Sequence, residues 1–435
     1  MTHPVGGPVP VIVDGLFRRS ASRITAILAR VLGPERLDLA EEAVQDALLR
    51  ALQTWPHRGV PQNPEGWLSR VARNRALDLL RREAAHDRAT AALLEQGEPE
   101  ADAAGDDEVR LLLLCLHPAL TPRARVALAL KTVGGLGVNE IARGLLCEAA
   151  AAAQLLVRAR RLVQKEGLVL EMPVGNDLAA RLESALDTIY LIFNEGYSAS
   201  SGERVVREDL CAAAIGFAGL LTANAATDRP EVHALLALMC FQASRLAARA
   251  DAAGDLLLLD RQDRALWDRG LIARGFAHLD RSAAGTRVTA WHLEAAIASC
   301  HAQAPSVEAT RWDRVLELYD ELLTVRPSPV AALSRVVAIE RVHGAAAALR
   351  ALDEARKHTA LARYPLLPAV EAHLLRRAGD APAAAAALEV AIERARTEPE
   401  RRLLEGRREP GSPKAGSPEA RGPEGQGSRR GVAPP

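Results

Sequence analysis

Apolar residues recur at intervals of three and four along most of the chain, which is the spacing of one face of an α-helix. The clearest stripe comprises Leu37, Ala40, Val44, Ala47, Leu48, Ala51, Leu52 and Trp55. The opposite side of the same segment carries Glu41, Glu42, Gln45 and Asp46. The pattern therefore predicts an amphipathic helix whose acidic and amide side chains a partner can bind.

The stripe ends at Trp55, where prolines 56, 61 and 64 with Gly59 predict an ordered loop over 56–64. Opening a DNA duplex requires a base to leave its stack, and a rigid polar loop beside aromatic rings suits that step. Arg58, Gln62, Asn63 and Trp67 provide such groups. In the alternative interpretation, both tryptophans are core residues and the prolines only stiffen a connection.

A second helix is predicted from about Pro64 to Glu83. A step of about 100° per residue places Arg70, Asn74 and Arg81 on one side of it, with Arg73 nearby. Leu68, Ala72 and Leu79 lie on the opposite side. Such a helix can dock on a small core and hold guanidinium groups toward phosphates, although a solvated charged face has the same pattern.

A stretch rich in Ala, Asp, Glu and Gly over 87–107 predicts a flexible acidic linker. Thr121-Pro122 then marks a helix start, and Gly134-Gly135 marks its end. Helical segments near Val138 to Gly144 and Ala149 to Glu166 complete a helix-turn-helix.

The last helix of this helix-turn-helix begins with Glu148, five alanines and Gln154, and it ends with the cations Arg158, Arg160, Arg161 and Lys165. Alanine neither donates nor accepts a hydrogen bond, so it reads base edges poorly. We therefore expect binding through phosphates and DNA shape more than through base identity.

Residues 176–399 alternate striped helices with short breaks, which predicts an array of helical hairpins. Gly344 and Gly379 lie about 35 residues apart, each before an Ala-rich helix, close to the tetratricopeptide period. From 400 to 435 the composition shifts to Pro, Gly, Ser, Glu and Arg, which predicts a disordered tail.

Composition supports an all-α protein of about three domains, since 435 residues are 49% hydrophobic but only 3% aromatic. Basic and acidic residues balance at 55 each, so any DNA binding depends on local patches. Five scattered cysteines indicate reduced thiols. No apolar run of membrane-spanning length and no signal peptide are found, so we expect a cytoplasmic location without membrane association.

Taken together, three stretches of sequence resemble extracytoplasmic-function sigma factors of the sigma-70 family. Asp38-Leu39-Ala40-Glu41-Glu42, Trp55-Pro56, Asn63-Pro64-Glu65-Gly66-Trp67 and Val71-Ala72-Arg73-Asn74 resemble regions 2.2 to 2.4. His117-Pro118-Ala119-Leu120, Gly134-Gly135-Leu136 and Glu140-Ile141-Ala142-Arg143 resemble region 4. Asp187-Thr188-Ile189-Tyr190 through Gly202, with Asp263 to Asp268, resembles the subgroup with a C-terminal tetratricopeptide-like extension.

The resemblance implies a domain order, which we name by residues. A front module at 10–86 corresponds to region 2, a second module at 108–170 corresponds to region 4, and the extension covers 176–399. The implied partners are core RNA polymerase, through its β′ clamp helices and β flap, and promoter DNA. The resemblance implies control by the extension, through a protein or small-ligand regulator.

The resemblance also implies roles for individual residues. The polymerase-binding set is Glu41, Glu42, Gln45 and Asp46. The −10 set is Arg58, Gln62, Asn63, Trp67, Arg70, Arg73, Asn74 and Arg81. The −35 set is Glu148, Gln154, Arg158, Arg160, Arg161 and Lys165. The second module departs from the family pattern at Gly137, which replaces a capping Ser or Thr, and at Cys147-Glu148-Ala149 and Leu155.

Two polar clusters in the extension, one with Asn194, Glu195 and Tyr197 and one with Asp263, Arg264 and Asp268, leave other functions open. They can be buried polar networks, or a ligand or partner surface. An enzyme is not expected, because phosphate-loop and nucleophile-elbow patterns are incomplete. Neither Cys115 with His117 nor Cys300 with His301 has a second pair at metal-ligand spacing, so no metal or cofactor is expected. The main alternative is a helical-repeat scaffold with a degenerate sigma-like front end.

Overall fold

The computed structural model describes residues 9–82, 101–145, 147–197, 206–251, 255–357, 364, 366–395 and 397–408. Within these residues the chain is α-helical, with short 3₁₀ turns and one isolated bridge between Ala250 and Leu256. The prediction of an all-α fold is confirmed. The five cysteines are all free thiols, as expected.

The front module consists of α1 (Val9–Leu32), α2 (Leu37–Arg58) and α3 (Pro64–Arg82). The predicted stripe of α2 is largely buried in a core of this module, around Trp55 and Leu68. The loop that we expected over 56–64 is shorter, because Pro56 lies inside the last turn of α2. Proline there removes only one backbone hydrogen bond, and Gly59, with φ of 80°, ends the helix.

The second module comprises α4 (Ala101–Cys115), α5 (Pro122–Thr132), α6 (Val138–Gly144) and α7 (Ala149–Lys165). Thr121 caps α5 by accepting a hydrogen bond from the Ala124 backbone at 3.3 Å. Gly137 lacks a capping hydroxyl, but its backbone N–H donates to the Glu140 carboxylate at 2.7 Å. The start of α6 is therefore still stabilised by the Glu140 half of a capping box.

The prediction of a flexible linker over 87–107 is wrong for residues 101–107, which are helical. Helix α4 begins at Ala101, and Asp107 is fully buried, where it pairs with Arg30 at 3.1 Å and Arg110 at 2.9 Å. These two cations explain why an acidic residue can leave the solvent and join the core. Residues 83–100 lie outside the described part of the chain.

The extension is built from consecutive helices, each packed on its neighbours in sequence. They are α8 (Gly175–Tyr197), α9 (Glu208–Ala223), α10 (Pro230–Ala243), α11 (Arg269–Ser282), α12 (Ala290–Gln303), α13 (Trp312–Val325), α14 (Pro329–His343), α15 (Ala345–Arg356), α16 (Leu366–Ala378), α17 (Ala381–Glu393) and α18 (Glu398–Glu405). Gly344 and Gly379 have φ of 80° and 89°, so both predicted breaks are turns that favour glycine.

The prediction of a disordered tail from residue 400 is wrong for its first residues, 400–405, which are helical. Residues 398–405 form α18, which Thr397 caps by accepting from the Glu400 backbone at 3.3 Å. Leu404 on this helix is buried, and this apolar contact explains why the helix forms in a charged segment. Residues 409–435 lie outside the described part.

One apolar core joins the second module to the extension. Leu111 to Cys115 of α4 belong to the same cluster as Leu178, Leu182 and Ile189 of α8. Ala26, Ala29 and Leu37 of the front module also reach this cluster. The three parts of the chain therefore pack as neighbours, with the front module keeping a separate core of its own.

Candidate functional site

The basic face of α3 is open to solvent. Arg70, Asn74 and Arg81 are exposed, and Arg73 is half-buried, while Leu68 and Ala72 on the other side of the helix are buried. The predicted division of this helix into a basic and an apolar side therefore holds. Three polar side chains of one helix face point outward, where a polyanion can reach them.

The loop before α3 is held by its neighbours on both sides. Trp67 packs edge-on against Trp55, with ring centroids 5.5 Å apart, and Trp55 is only 2% exposed. The Asn63 side chain accepts a hydrogen bond from the Gly66 backbone at 2.9 Å and so caps α3. Trp55 is therefore a core residue, as one interpretation expected, whereas Trp67 is half-buried, and Arg58 and Gln62 are exposed.

The acidic side of α2 is mostly engaged in contacts within the chain. Glu42 and Asp46 both pair with Arg75 of α3, and the Glu42 contact is 3.2 Å long. Gln45 is exposed, whereas Glu41 is buried at 8% exposure. The structure thus leaves three of the four predicted polymerase-binding side chains at least partly accessible and covers the fourth.

Glu41 is covered by the second module. Its carboxylate accepts hydrogen bonds from the Thr132 hydroxyl at 2.6 Å and from the Arg160 guanidinium at 2.5 Å. Nearby, the Gln164 side chain donates to the backbone carbonyl of Glu35 at 2.9 Å. These hydrogen bonds from α5 and α7 to Glu41 and Glu35 therefore hold the second module against the front module.

The exposed cations of α7 form a stripe. Gln154, Arg158, Arg161 and Lys165 are exposed at intervals of three and four, and Glu148 is exposed just before the helix. Arg160 instead points into the contact with Glu41, so the structure separates it from the rest of the predicted −35 set. The buried positions Leu156, Ala159 and Val163 mark the inner side of this helix, and that spacing is the signal that could have indicated the direction of Arg160.

The predicted regulatory residues of the extension lie in three different places. Asp263 and Asp268 cap short helical segments through the backbone N–H groups of Ala265 and Leu271, at 2.8 and 2.9 Å, which is a structural role. Tyr197, Arg264 and Asn194 instead lie in or beside the wall of a cavity within the extension, while Glu195 lies against α5 in a separate apolar groove.

Sequence reasoning missed the other polar residues of this cavity. They are Gln242, Arg245, Trp267, Glu294, His301 and Arg326. They come from α10, α12 and the segments that follow α10 and α13, so no local motif brings them together in the sequence. Within the described part of the chain, no group of three His, Cys, Asp or Glu residues could hold a metal ion. Within those same residues, no helix has the length and apolar character needed to cross a membrane.

Comparison with known proteins relates separate parts of the chain to different families. Residues 16–86 match "Sigma-70 region 2", and residues 181–283 match a "Family of unknown function (DUF6596)". An uncharacterized protein of Rhizobium meliloti (strain 1021) is 41% identical over 330 residues, which cover 73% of this chain and 77% of that protein. A "Probable ECF RNA polymerase sigma factor SigI" of Mycobacterium tuberculosis is 28% identical over 200 residues, covering 42% of this chain and 68% of the relative. No solved structure matches the chain.

Proposed function

The chain belongs to the extracytoplasmic-function class of the sigma-70 family, and on this premise we propose that it binds core RNA polymerase and directs promoter recognition and DNA melting. The observation that supports the proposal is the exposed face of α3, where Arg70, Asn74 and Arg81 point outward on the helix that carries the half-buried Trp67 near its start. Cations that bind the backbone, together with a partly exposed aromatic ring such as that of Trp67, suit a protein that holds a melted single strand.

Phosphate binding at the −35 element is assigned to the exposed stripe of α7. Arg158, Arg161 and Lys165 supply three cations, whereas the first turns of the helix are alanines and leave only Glu148 and Gln154 as polar side chains that could contact bases. Such a helix gains affinity from phosphates and little sequence preference from bases. We therefore assign most of the promoter specificity to the front module.

The contact between Glu41 and Arg160 supports the further proposal that this conformation is a closed form, which opens before the polymerase binds. Charges in a buried pair lose hydration, and this cost offsets most of their mutual attraction. Opening returns both side chains to water, so the net cost of breaking the contact is small. The polymerase clamp can then compete for Glu41 while Arg160 becomes available to DNA.

Regulation by the extension is supported by its attachment to the second module. The Arg125 guanidinium of α5 donates to the Ser184 hydroxyl of α8 at 2.5 Å, and Ser184 donates to the backbone carbonyl of Leu116 at 3.3 Å. Because α8 also belongs to the shared core, a shift of this helix changes the support of α4 and α5.

Transcription-start mapping after overexpression tests the proposed function in cells. The proposal expects a set of new start sites that share a −10 sequence at fixed spacing, with a weaker common −35 sequence. New starts without any shared upstream sequence, or no new starts at all, would argue against promoter recognition by this protein.

A further inference from the structure

A cavity of about 680 Å³ lies within the extension, between α8, α10, α12, α13 and the start of α14. Its volume falls in the range of pockets that hold small molecules, and all its lining residues lie between Tyr190 and Ser334. We propose that this cavity binds a small organic anion, with a carboxylate, sulfonate or phosphate group on a planar apolar body. The site goes beyond the proposed transcription function, because ligand binding can be measured on the protein alone.

Several buried polar atoms around the cavity have no hydrogen-bond partner within the part of the chain that the structure describes. They are Nε of Arg245, Nε1 of Trp267, Nδ1 of His301 and Oε1 of Gln242. Trp267 is only 3% exposed, and its indole nitrogen can only donate. Because buried polar groups nearly always find partners, this cluster fits a ligand that offers acceptor oxygens to the Arg245 and Trp267 donors.

The electrostatics of this wall favour an anion. The guanidinium groups of Arg245 and Arg249 both contact the phenol of Tyr197, and Arg249 lies 3.9 Å from the ring centroid. Arg264 stacks on Trp267 at 4.4 Å and donates to the backbone carbonyl of His301 at 2.8 Å. Among the described residues, no ion pair joins any of these three arginines to a carboxylate, and Arg245 itself lines the cavity, so its charge can act on a bound ligand.

His301 and Tyr197 respond to the same excess of positive charge. Burial, together with the charges of Arg245 and Arg264, lowers the pKa of His301 to about 4. Burial alone raises the pKa of Tyr197, but Arg245 and Arg249 outweigh it and leave that pKa below its usual value. Both directions agree with an uncompensated cationic wall, which a bound anion would neutralise.

The other walls suit the apolar body of such a ligand. Tyr190, Phe241 and Tyr319 line the cavity with aromatic surface. The one carboxylate among the lining residues, Glu294, is already paired with Arg326 at 2.7 Å and accepts from the Tyr190 hydroxyl at 3.1 Å. Its charge is therefore compensated by Arg326, which weakens its repulsion of a bound anion.

The binding test compares two fluorescent probes of the same shape on the full-length protein. 1-Anilinonaphthalene-8-sulfonate carries the anionic group, and N-phenyl-1-naphthylamine lacks it. We expect saturable 1:1 binding of the sulfonate, about tenfold tighter than that of the neutral probe. Arg245→Gln should weaken sulfonate binding about tenfold and change neutral-probe binding by less than about twofold.

Two further variants distinguish binding in this cavity from nonspecific binding elsewhere on the protein. Arg335→Gln removes a half-buried arginine of α14 that pairs with Asp320 and does not line the cavity, and it should change neither affinity. Ala298→Phe fills the cavity and should abolish binding of both probes without changing the helical circular dichroism. Benzoate should displace the sulfonate probe from the wild-type protein, whereas benzyl alcohol should not.

The proposal is overturned if the two probes bind equally well, or if sulfonate binding survives Ala298→Phe in a folded protein. It is also overturned if Arg335→Gln weakens sulfonate binding as much as Arg245→Gln does. Should Arg245→Gln fail to fold, the benzoate and benzyl alcohol competition on the wild-type protein decides the need for the anionic group.

Discussion

The carboxylate of Glu41 in α2 accepts a hydrogen bond from the guanidinium of Arg160 in α7 at 2.5 Å, although the two residues are 119 positions apart. Glu41 belongs to the set proposed for core polymerase, and Arg160 belongs to the set proposed for the −35 element. The same contact therefore occupies one residue from each proposed interface. We therefore propose that this contact opens before both interfaces are used together.

The variant Arg160→Gln should open the closed form. It leaves the Glu41 carboxylate, which is 8% exposed, without its cation, and we expect a loss of about 1–3 kcal/mol in the stability of the closed form. The radius of gyration from small-angle X-ray scattering should rise, and the affinity for core polymerase should increase severalfold.

Arg161→Gln is the matched control for this change, because Arg161 is the next residue and is exposed. It should leave the radius of gyration unchanged and weaken binding to promoter DNA. Equal radii for the wild type and Arg160→Gln would remove the argument for a closed form.

The double variant Arg70→Ala with Asn74→Ala should impair DNA melting and leave polymerase binding nearly unchanged. Both side chains are exposed on α3 and neither supports the core, so we expect at least a roughly tenfold loss of open complexes. Permanganate reactivity of thymines near the −10 element measures the melted state. Arg50→Ala, on an exposed part of α2, serves as the control, and parallel losses of melting and polymerase affinity would refute the assigned role.

Replacing Arg158 and Arg161 together with Gln should weaken DNA binding by the second module without changing its sequence preference. Each lost phosphate contact lowers the slope of log affinity against log salt concentration by about 0.9, so the double variant should lose about 2. Filter binding or anisotropy at several salt concentrations gives this slope. A loss confined to one −35 sequence would instead indicate direct base reading by these arginines.

The buried His301 makes stability depend on pH. Burial, then Arg245 and Arg264, lowers its pKa from 6.5 to about 4, so the unfolded chain binds more protons between these values. The stability that neutral His301 contributes is fully present above about pH 6.5 and is lost as pH falls toward 4. Between pH 7 and 4.5 the loss should be about 2 kcal/mol.

Urea unfolding of the wild type and His301→Gln at the two pH values measures this contribution. The variant should lose less stability than the wild type, while His278, whose pKa burial and His233 also lower to about 4, contributes equally to both proteins. The same pH dependence in both proteins would show that His301 is not held neutral by its surroundings.

Truncation after Val174 should destabilise the second module, since it removes Leu178, Leu182 and Ile189 from the shared core. Burial of a large apolar side chain stabilises by roughly 1.5–3 kcal/mol, so several such losses should lower the melting temperature clearly. Circular dichroism melting measures the effect, and truncation after Arg408 is the control. An unchanged melting temperature for the shorter protein would mean that the second module folds independently of the extension.

Local sequence signals predicted the elements well where a helix is decided by its own residues. The apolar stripe of α2, the Thr121 cap and the glycine turns at 344 and 379 are all present in the structure. The basic face of α3 is also as predicted, because helical periodicity places Arg70 and Asn74 on the side away from Leu68.

Contacts between distant parts of the chain could not be predicted from these local sequence signals. Periodicity gives the face on which a residue lies, but it does not give the element that covers that face, so the burial of Glu41 by Arg160 was missed. The early start of α4 was missed because the cations that stabilise Asp107 include Arg30 of another helix. The cavity in the extension was missed for the same reason, since five helices contribute to its walls.

In vitro transcription with purified core polymerase tests the central proposal most directly, because promoter-dependent initiation is the activity that a sigma factor adds. We expect run-off transcripts from mapped promoters with the wild-type protein, and strongly reduced transcripts with the Arg70→Ala, Asn74→Ala variant. Stable binding to the core polymerase without a transcript from any mapped promoter would contradict the proposal and favour a helical scaffold with a degenerate front module.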